Sequence, residues 1–212
     1  MIKCVIFDLD GTLLNTLEDL KNSTNFALSK YGYPERTLKE IRNFVGDGVR
    51  KLIERAIPQN AENIDECLCV FKKHYAQNMY NCTAPYDNIV EILNELRAKN
   101  IKIGVVSNKF DSAVKELCKK YFNGCIDIAL GQSEAIPKKP APNGVIKVIK
   151  DLGADITNTI YVGDSEIDVQ TAKNANIKCI GVTWGFRDKE KLLGADFIID
   201  NPSELIQILD KN

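Results

Sequence analysis

An excess of charge of either sign is missing: 28 Lys and Arg balance 29 Asp and Glu, a formal net charge of −1. That balance gives no reason to expect nonspecific binding of nucleic acid or of an anionic membrane surface. No apolar run approaches the roughly 20 residues of a membrane-spanning helix. Met1-Ile2-Lys3 leads at once into an apolar run, with no basic leader and no small-residue cleavage site behind it. The chain is therefore read as cytoplasmic. Internal repeats and low-complexity segments are also missing.

A disulfide framework is excluded as well. The seven Cys are odd in number and share no repeated spacing. Cys4 and Cys179 lie in apolar strand-like runs and read as small core residues. Cys67, Cys69, the single His74 and Cys82 are metal-ligating types, but a spacing of two on a helix sends side chains to different faces. They do not read as a zinc site. His74, among Lys72, Lys73 and Tyr75, reads as part of a solvated helix face.

What is present is an ordinary globular composition over 212 residues, 44% hydrophobic and 27% charged. That length suits one large domain or a core with a smaller insert. The stretch Lys3-Cys4-Val5-Ile6-Phe7-Asp8-Leu9-Asp10-Gly11-Thr12-Leu13-Leu14 is the organising feature. A β-branched apolar run reads as a buried strand. It ends in two carboxylates one residue apart, then a Gly-Thr breaker. Buried carboxylates are costly unless paired or metal-bound, so this strand end asks for a cation. Two acids at that spacing can divide the work of nucleophile and general acid/base.

From residue 17 to about residue 80 the periodicity is helical. Leu17, Leu20, Thr24, Ala27 and Leu28 mark one face of a first helix, stopped by Gly32-Tyr33-Pro34. Thr37 followed by Glu40 predicts a capping box for a second helix. A third helix covers residues 49–57 after Gly46-Asp47-Gly48. A fourth covers 64–80, with Leu68, Phe71, Tyr75 and Met79 on one stripe. After Pro85 helices and strands alternate: helix 89–98, strand 101–106, helix 111–121, strand 126–130, helix 142–152, strand 159–162, helix 168–175, strands 178–182 and 197–199, helix 203–209. This order predicts an α/β fold, a doubly wound parallel sheet covered on both faces. The helical block interrupts it directly after the first strand. Residues 1–14 and 83–212 therefore read as the α/β core, and 15–82 as an inserted helical domain.

Polar residues cluster where strands end: Asp8 and Asp10, Ser107 and Asn108, the loop carrying Lys138 and Lys139, and Asp164 with Asp168. In a parallel sheet those ends face one crevice. Taken singly, Ser107-Asn108 reads equally as a helix cap, Lys139 as a solvated loop charge, Asp168 as a cap of its own helix and Gly163-Asp164 as a turn. Together they make a site for a cation and a phosphoryl group.

The set resembles the haloacid-dehalogenase-like phosphatase superfamily with a helical cap after the first strand. Asp8-Leu9-Asp10-Gly11-Thr12 is similar to that family's first motif, Ser107 to its second, Lys139-Pro140-Ala141-Pro142 to its third, and Gly163-Asp164-Ser165-Glu166-Ile167-Asp168 to its fourth. The resemblance implies that Asp8 attacks phosphorus to form an aspartyl-phosphate, while Asp10 protonates the leaving oxygen and then activates water. It implies Mg²⁺ held by Asp8, the Asp10 carbonyl and Asp164, with Asp168 outside the ligand set, holding a metal water or Lys139. Ser107, the Asn108 amide and Lys139 would hold phosphoryl oxygens, and Thr12 would add turn geometry and a contact to phosphate.

For substrate choice, Val45-Gly46-Asp47-Gly48-Val49-Arg50-Lys51 stands out. Gly46 and Gly48 permit close backbone approach, a helix N-terminus favours an anion, and Arg50 could fork a carboxylate. The alternative is a plain turn with Arg50 in water. The stretch resembles the phosphoglycolate phosphatase branch and implies a small anionic phosphomonoester such as 2-phosphoglycolate. A pyrophosphatase and a β-phosphoglucomutase-like phosphotransferase are the other branches weighed. The mutase branch carries a His where this chain has Leu20, and dehalogenases lack the second acid, here Asp10. A phospho-receiver module without turnover would have no use for Asp10 or for a water-excluding cap. Many relatives carry Asp at the position of Asn15, where the chain enters the cap, so that departure bears on closure. Trp184, in Thr183-Trp184-Gly185-Phe186-Arg187, marks either a contact surface or a cover over the core edge near the site. Monomer and homodimer are both left open. The expected partner is a small phosphorylated metabolite, not nucleic acid or membrane.

Overall fold

The structure, a computed structural model, describes residues 1–211. Strand β1 (Cys4–Phe7) is buried throughout. Its side chains alternate between two apolar clusters, Val5 and Phe7 in one, Cys4 and Ile6 in the other. A strand covered on both faces needs no polar alternation, which is why it reads as a continuous apolar run.

The chain continues through β2 (Leu14–Asn15), α1 (Leu17–Ser29), α2 (Leu38–Phe44), α3 (Val49–Ala56), α4 (Ile64–Asn78) and β3 (Ala84–Pro85). It then runs through α5 (Ile89–Ala98), β4 (Lys102–Phe110), α6 (Asp111–Phe122), β5 (Ile128–Gln132), α7 (Asn143–Asp151), β6 (Thr159–Gly163), α8 (Glu166–Asn174), β7 (Lys178–Val182), β8 (Phe197–Ile199) and α9 (Glu204–Lys211). Six strands form one sheet in the order β5-β4-β1-β6-β7-β8, every pairing parallel. Buried residues of α5, α6 and α9 share the cluster with Val5 and Phe7; those of α7 and α8 share the other with Cys4 and Ile6. The result is the expected doubly wound α/β architecture. β1 lies where the strand order reverses, so its C-terminal end opens on the crevice between β4 and β6.

The helical block packs on its own apolar stripes: Leu17, Leu20, Thr24, Ala27 and Leu28 of α1 and Leu68, Phe71 and Tyr75 of α4 are buried. The Thr37–Glu40 capping box forms as the spacing predicts. β2 and β3 pair antiparallel, Leu14 with Pro85 and Asn15 with Ala84, so the chain leaves and re-enters the core through a two-strand ribbon. Two residues per strand are too few for periodicity to show, and the sequence reading contained neither strand. Asp19, buried in α1, accepts from the backbone of Cys82 and Thr83 and so ties one limb of this connection to the other.

Two further readings change. β4 does not stop before Ser107; it runs on to Phe110, with a register shift against β5 between Val106 and Phe110. Ser107, Asn108 and Lys109 are as buried as the apolar residues before them. His74 is not on an open face: its ring stacks on Phe26, centroids 4.0 Å apart, and its Nδ1 lies 3.0 Å from the Ser23 hydroxyl. Cys4 and Cys179 are buried in the core as expected. No helix among the described residues is long and apolar enough to cross a membrane.

Candidate active site

The loop after β1 curls around one carbonyl. The backbone N–H groups of Thr12, Leu13 and Leu14 all point to Leu9 O. Leu9, Leu13 and Leu14 are fully buried, so three apolar anchors hold the turn while Asp8 before them and Asp10 between them face the crevice. Gly11 sits at φ +86°, and a Cβ there would overlap the Asp164 carboxylate. Glycine is required both by the backbone angle and by that contact.

Asp8 is held by its neighbours. Leu9 N donates to its Oδ1 (2.7 Å), and Lys139 Nζ lies 2.9 Å from the same oxygen. Lys139, 4% exposed, also reaches Asp168 Oδ1 at 2.7 Å and the Tyr161 hydroxyl at 3.0 Å. Burial alone would lower the Lys139 pKa; Asp168 and Asp8 overcome that and hold it above the usual lysine range. Asp168 spends its other oxygen on Ser165, accepting from the hydroxyl at 2.6 Å and the backbone N–H at 3.1 Å. With Ser165 as N-cap this is a capping box for α8. The two readings of Asp168 are thus both true: it caps its helix and holds Lys139. Tyr161 was not singled out from sequence. A tyrosine inside a buried strand must satisfy its hydroxyl, and that signal was available.

Asp164 follows β6. Its Oδ1 accepts from the Thr12 hydroxyl (3.2 Å) and its Oδ2 from Phe186 N (2.7 Å). Oxygens of Asp8, Asp164 and Asp168 lie within 4.8 Å of one another, all three residues buried. Burial pushes Asp164 well above the carboxylate range, and Asp168 and Asp8 push it further. Burial likewise raises Asp8, with Lys139 opposing and Asp168 adding to it. One ammonium among three buried carboxylates leaves negative charge uncompensated. The all-oxygen donor set fits a hard divalent cation, and this buried acidic triad fits a metal site.

From β4 come Ser107, Asn108 and Lys109. Ser107 and Asn108 line the pocket with Asp8, Asp10 and Asp164. Neither caps α6. The Asn108 side-chain amide is committed elsewhere: Nδ2 donates to Gly46 O and Lys139 O, and Oδ1 accepts from Lys139 N (2.8 Å). Lys109, absent from the sequence reading as a site residue, also faces the pocket.

The helical block roofs this pocket with Leu20, Val45, Gly46, Gly48, Val49 and Leu52. Gly46 and Gly48 both line it, and the close approach at Gly48 is to the core: a Cβ would meet Gln132 Oε1 at 2.7 Å and Asn108 O at 3.2 Å. Arg50 is corrected. It does not line the pocket; its guanidinium is half exposed and paired with Asp65 and Glu54 on the outer surface. Position 50 lies in the first turn of α3 and points off the face that Val49 and Leu52 bury. Thr12 is corrected too. Its backbone N–H donates to Leu9 O and its hydroxyl to Asp164, and at 1% exposed it keeps the turn but does not line the pocket.

The arginine that does line the pocket is Arg187. It donates to Arg42 O and Val45 O, both at 2.6 Å, the carbonyls at the end of α2. Arg42 answers by donating to Phe186 O at 2.5 Å. Lys138, read as a solvated charge, is exposed but donates to Asp47 O at 2.8 Å. Core donors therefore clasp the 45–48 loop. Trp184 is half-buried at the core edge, and its indole N–H donates to Thr12 O at 3.0 Å.

A doubly wound sheet with an acidic, lysine-backed crevice under a helical roof defines a phosphatase-type hydrolase. The family model of the haloacid dehalogenase-like hydrolases matches residues 5–182, and the chain belongs to that family. It is 30% identical to a phosphoglycolate phosphatase of Aquifex aeolicus over all of this chain and 98% of that protein. It is 33% identical to one from Agrobacterium fabrum, over 96% of this chain and 91% of the other. A crystal structure from Lactobacillus delbrueckii subsp. bulgaricus, of a protein provisionally assigned as a phosphoglycolate phosphatase, superposes with a TM-score of 0.92 at 36% identity, over 98% of both chains. The enzyme is phosphoglycolate phosphatase-like.

Proposed function

We propose that this chain is a Mg²⁺-dependent phosphomonoester hydrolase that works through an aspartyl-phosphate on Asp8 and acts on a small anionic metabolite such as 2-phosphoglycolate. The observation that carries the reading is the Asp8 carboxylate at the floor of a roofed pocket, with Lys139 behind it and Asp164 beside it. Asp8, Asp164 and the Asp10 carbonyl would hold the metal ion, which when bound would offset the negative charge that nucleophile and phosphoryl group bring together. Asp8 attacks phosphorus in line as the ester oxygen leaves. Asp10 gives that oxygen its proton and then takes one from the water that hydrolyses the acyl phosphate. Ser107 and Lys139 hold the phosphoryl oxygens, and Asp168 and Tyr161 keep Lys139 in place. The apolar roof excludes bulk water from the intermediate.

The names of the relatives support the substrate class, and Arg187 supports an anionic one by placing a cation in the pocket where Arg50 does not. Leu20 supports hydrolysis over mutase chemistry. It lines the pocket with an apolar side chain where the mutase branch carries His. The partner is a small phosphorylated metabolite, met in the cytoplasm, without nucleic acid or membrane.

The test is phosphate release from a panel of phosphomonoesters, pyrophosphate and β-glucose 1-phosphate, with and without Mg²⁺, beside Asp8→Asn. The expected result is Mg²⁺-dependent turnover, strongest on 2-phosphoglycolate, that falls by about 10⁴-fold or more in the variant. Preference for pyrophosphate would replace the substrate and keep the mechanism. Turnover surviving in Asp8→Asn would end the aspartyl-phosphate reading.

A further inference from the structure

Lys109 is the buried cation that the chemistry above leaves without a task. It sits in β4 two residues after Ser107, and its side chain is 1% exposed. An ammonium that deep is costly unless a partner meets it. The partner is Asp10: Lys109 Nζ lies 3.0 Å from Oδ1 and 3.1 Å from Oδ2. A second donor, the Thr16 hydroxyl, reaches Asp10 Oδ1 at 2.7 Å. Over the same ammonium lies the ring of Tyr75, 4.5 Å from Nζ to centroid. Tyr75 belongs to α4 and is fully buried.

The two acids after β1 are therefore served by two separate lysines. Lys139 holds Asp8 from the β5–α7 side, and Lys109 holds Asp10 from β4. A carboxylate held through both oxygens by one ammonium has little freedom to rotate, and a third contact from Thr16 fixes it further. The pair also spans the two halves of the molecule, since its ammonium is in the sheet and its aromatic cover is on the roof. A cation–π contact is stronger when desolvated, so the roof in this position both dries the pair and grips it.

We propose that Lys109 is the positioning residue for Asp10, aiming its carboxyl at the leaving oxygen of the ester while Tyr75 covers the pair from the cap. The inference rests on the reading of Asp10 as the general acid. Lys109 acts through Asp10 and does not bind the phosphoryl group. Its effect is confined to steps in which Asp10 gives or takes a proton. The leaving oxygen of an alkyl ester must be protonated as the P–O bond breaks. The oxygen of p-nitrophenyl phosphate departs as a stable phenolate and needs no proton. A residue that aims the acid matters for the first ester and not for the second, whereas a residue that only holds the fold matters equally for both.

The experiment compares kcat/KM, which covers events up to departure of the leaving group, for an alkyl phosphate and for p-nitrophenyl phosphate. The proteins are wild type, Asp10→Asn, Lys109→Met and the double variant. Lys109→Met is expected to lose about 100-fold on the alkyl ester, within the usual range of acid–base catalysis, and less than about 3-fold on p-nitrophenyl phosphate. The double variant is expected to be no worse than Asp10→Asn alone, the mark of two residues acting as one. Lys109→Gln, which keeps a hydrogen-bonding head, is measured alongside in case Met in that position prevents folding, and thermal midpoints identify any such loss. Equal losses on both esters, a loss confined to the KM of esters with a second anionic group, or additive losses in the double variant would each overturn the proposal. Wild-type turnover abolished by Asp8→Asn, with any of those patterns, removes this inference and leaves the phosphatase reading intact. Absence of wild-type turnover on every ester removes both.

Discussion

The core wall of the pocket presents Asp8, Asp10, Lys109 and Asp164, whereas the cap wall presents Leu20, Val45, Val49 and Leu52 with glycine backbone between them. Each of these four charges has a partner fixed by the sheet or by a loop leaving it: Lys139 for Asp8, Lys109 for Asp10, Phe186 N for Asp164. The cap wall contributes shape and dryness. Charges on the cap, such as Arg50 and Lys51, lie outside on the solvent face and pair there with Asp65 and Glu54. A buried charge needs a partner held in place; the parallel sheet supplies such partners around the pocket, and in the helical block Asp19 finds them in the Cys82 and Thr83 backbone. The helical block is joined through a two-strand ribbon and clasped by Arg187 and Arg42, and it brings no charge of its own to the pocket.

Four measurements test this contrast. The largest effect is expected at Asp168→Ala, which strips Lys139 of one of its two carboxylates and α8 of its capping box. Removing one partner of a buried ion pair costs about 3–5 kcal/mol; denaturant unfolding measures it, and a loss under about 1 kcal/mol, the range of exposed pairs, would show that the core wall is not held by its charges.

Arg187→Ala comes next. It removes charged hydrogen bonds to Arg42 O and Val45 O, each worth about 1.5–3 kcal/mol. KM is expected to rise about tenfold or more while kcat changes less, because the roof is released and the core wall is untouched. A kcat loss at unchanged KM would place Arg187 with the core chemistry instead.

A smaller effect concerns the metal. Asp8 and Asp164 have raised pKa values in the folded chain, while unfolded aspartates release their protons near about pH 3.9. Above that pH the folded state holds more protons than the unfolded one, so stability without metal falls as pH rises. A divalent cation replaces those protons. Added Mg²⁺ is therefore expected to raise the melting temperature by a few degrees, on the order of 1–2 kcal/mol, and by more at about pH 8 than at about pH 5. An Mg²⁺ effect that is flat across pH would remove the buried carboxylates from the metal site. The smallest effect is expected at Arg50→Ala, whose exposed pairs are worth about 0–1 kcal/mol. Turnover on 2-phosphoglycolate should stay within about twofold, and a large KM rise would restore Arg50 to the substrate.

The sites legible in the sequence were those announced locally. Asp8 and Asp10 follow a buried strand directly, and Asp164 and Asp168 frame a turn and the start of a helix. Lys139 could be found only as a member of an ordered set. Lys109, Arg187 and Tyr161 escaped because their roles depend on partners far along the chain: Lys109 meets Asp10 across 99 residues, Arg187 meets Val45 across 142, and Tyr161 meets Val106 across 55. The misplacement of Arg50 has the same origin. Its neighbours Gly48 and Val49 do face the pocket, but a helix turns about 100° per residue, and one position carries the side chain out to solvent.

The doubly wound α/β core, its interruption by a helical block and the acids grouped at strand ends can be read along the chain. These follow from periodicity, breakers and the cost of unpaired carboxylates, all of them local properties. Which cation serves which acid, which arginine enters the pocket and the absence of charge from the cap wall emerge in the folded molecule. Those outcomes are set by distances between segments that packing alone brings together, and no spacing along the chain encodes them.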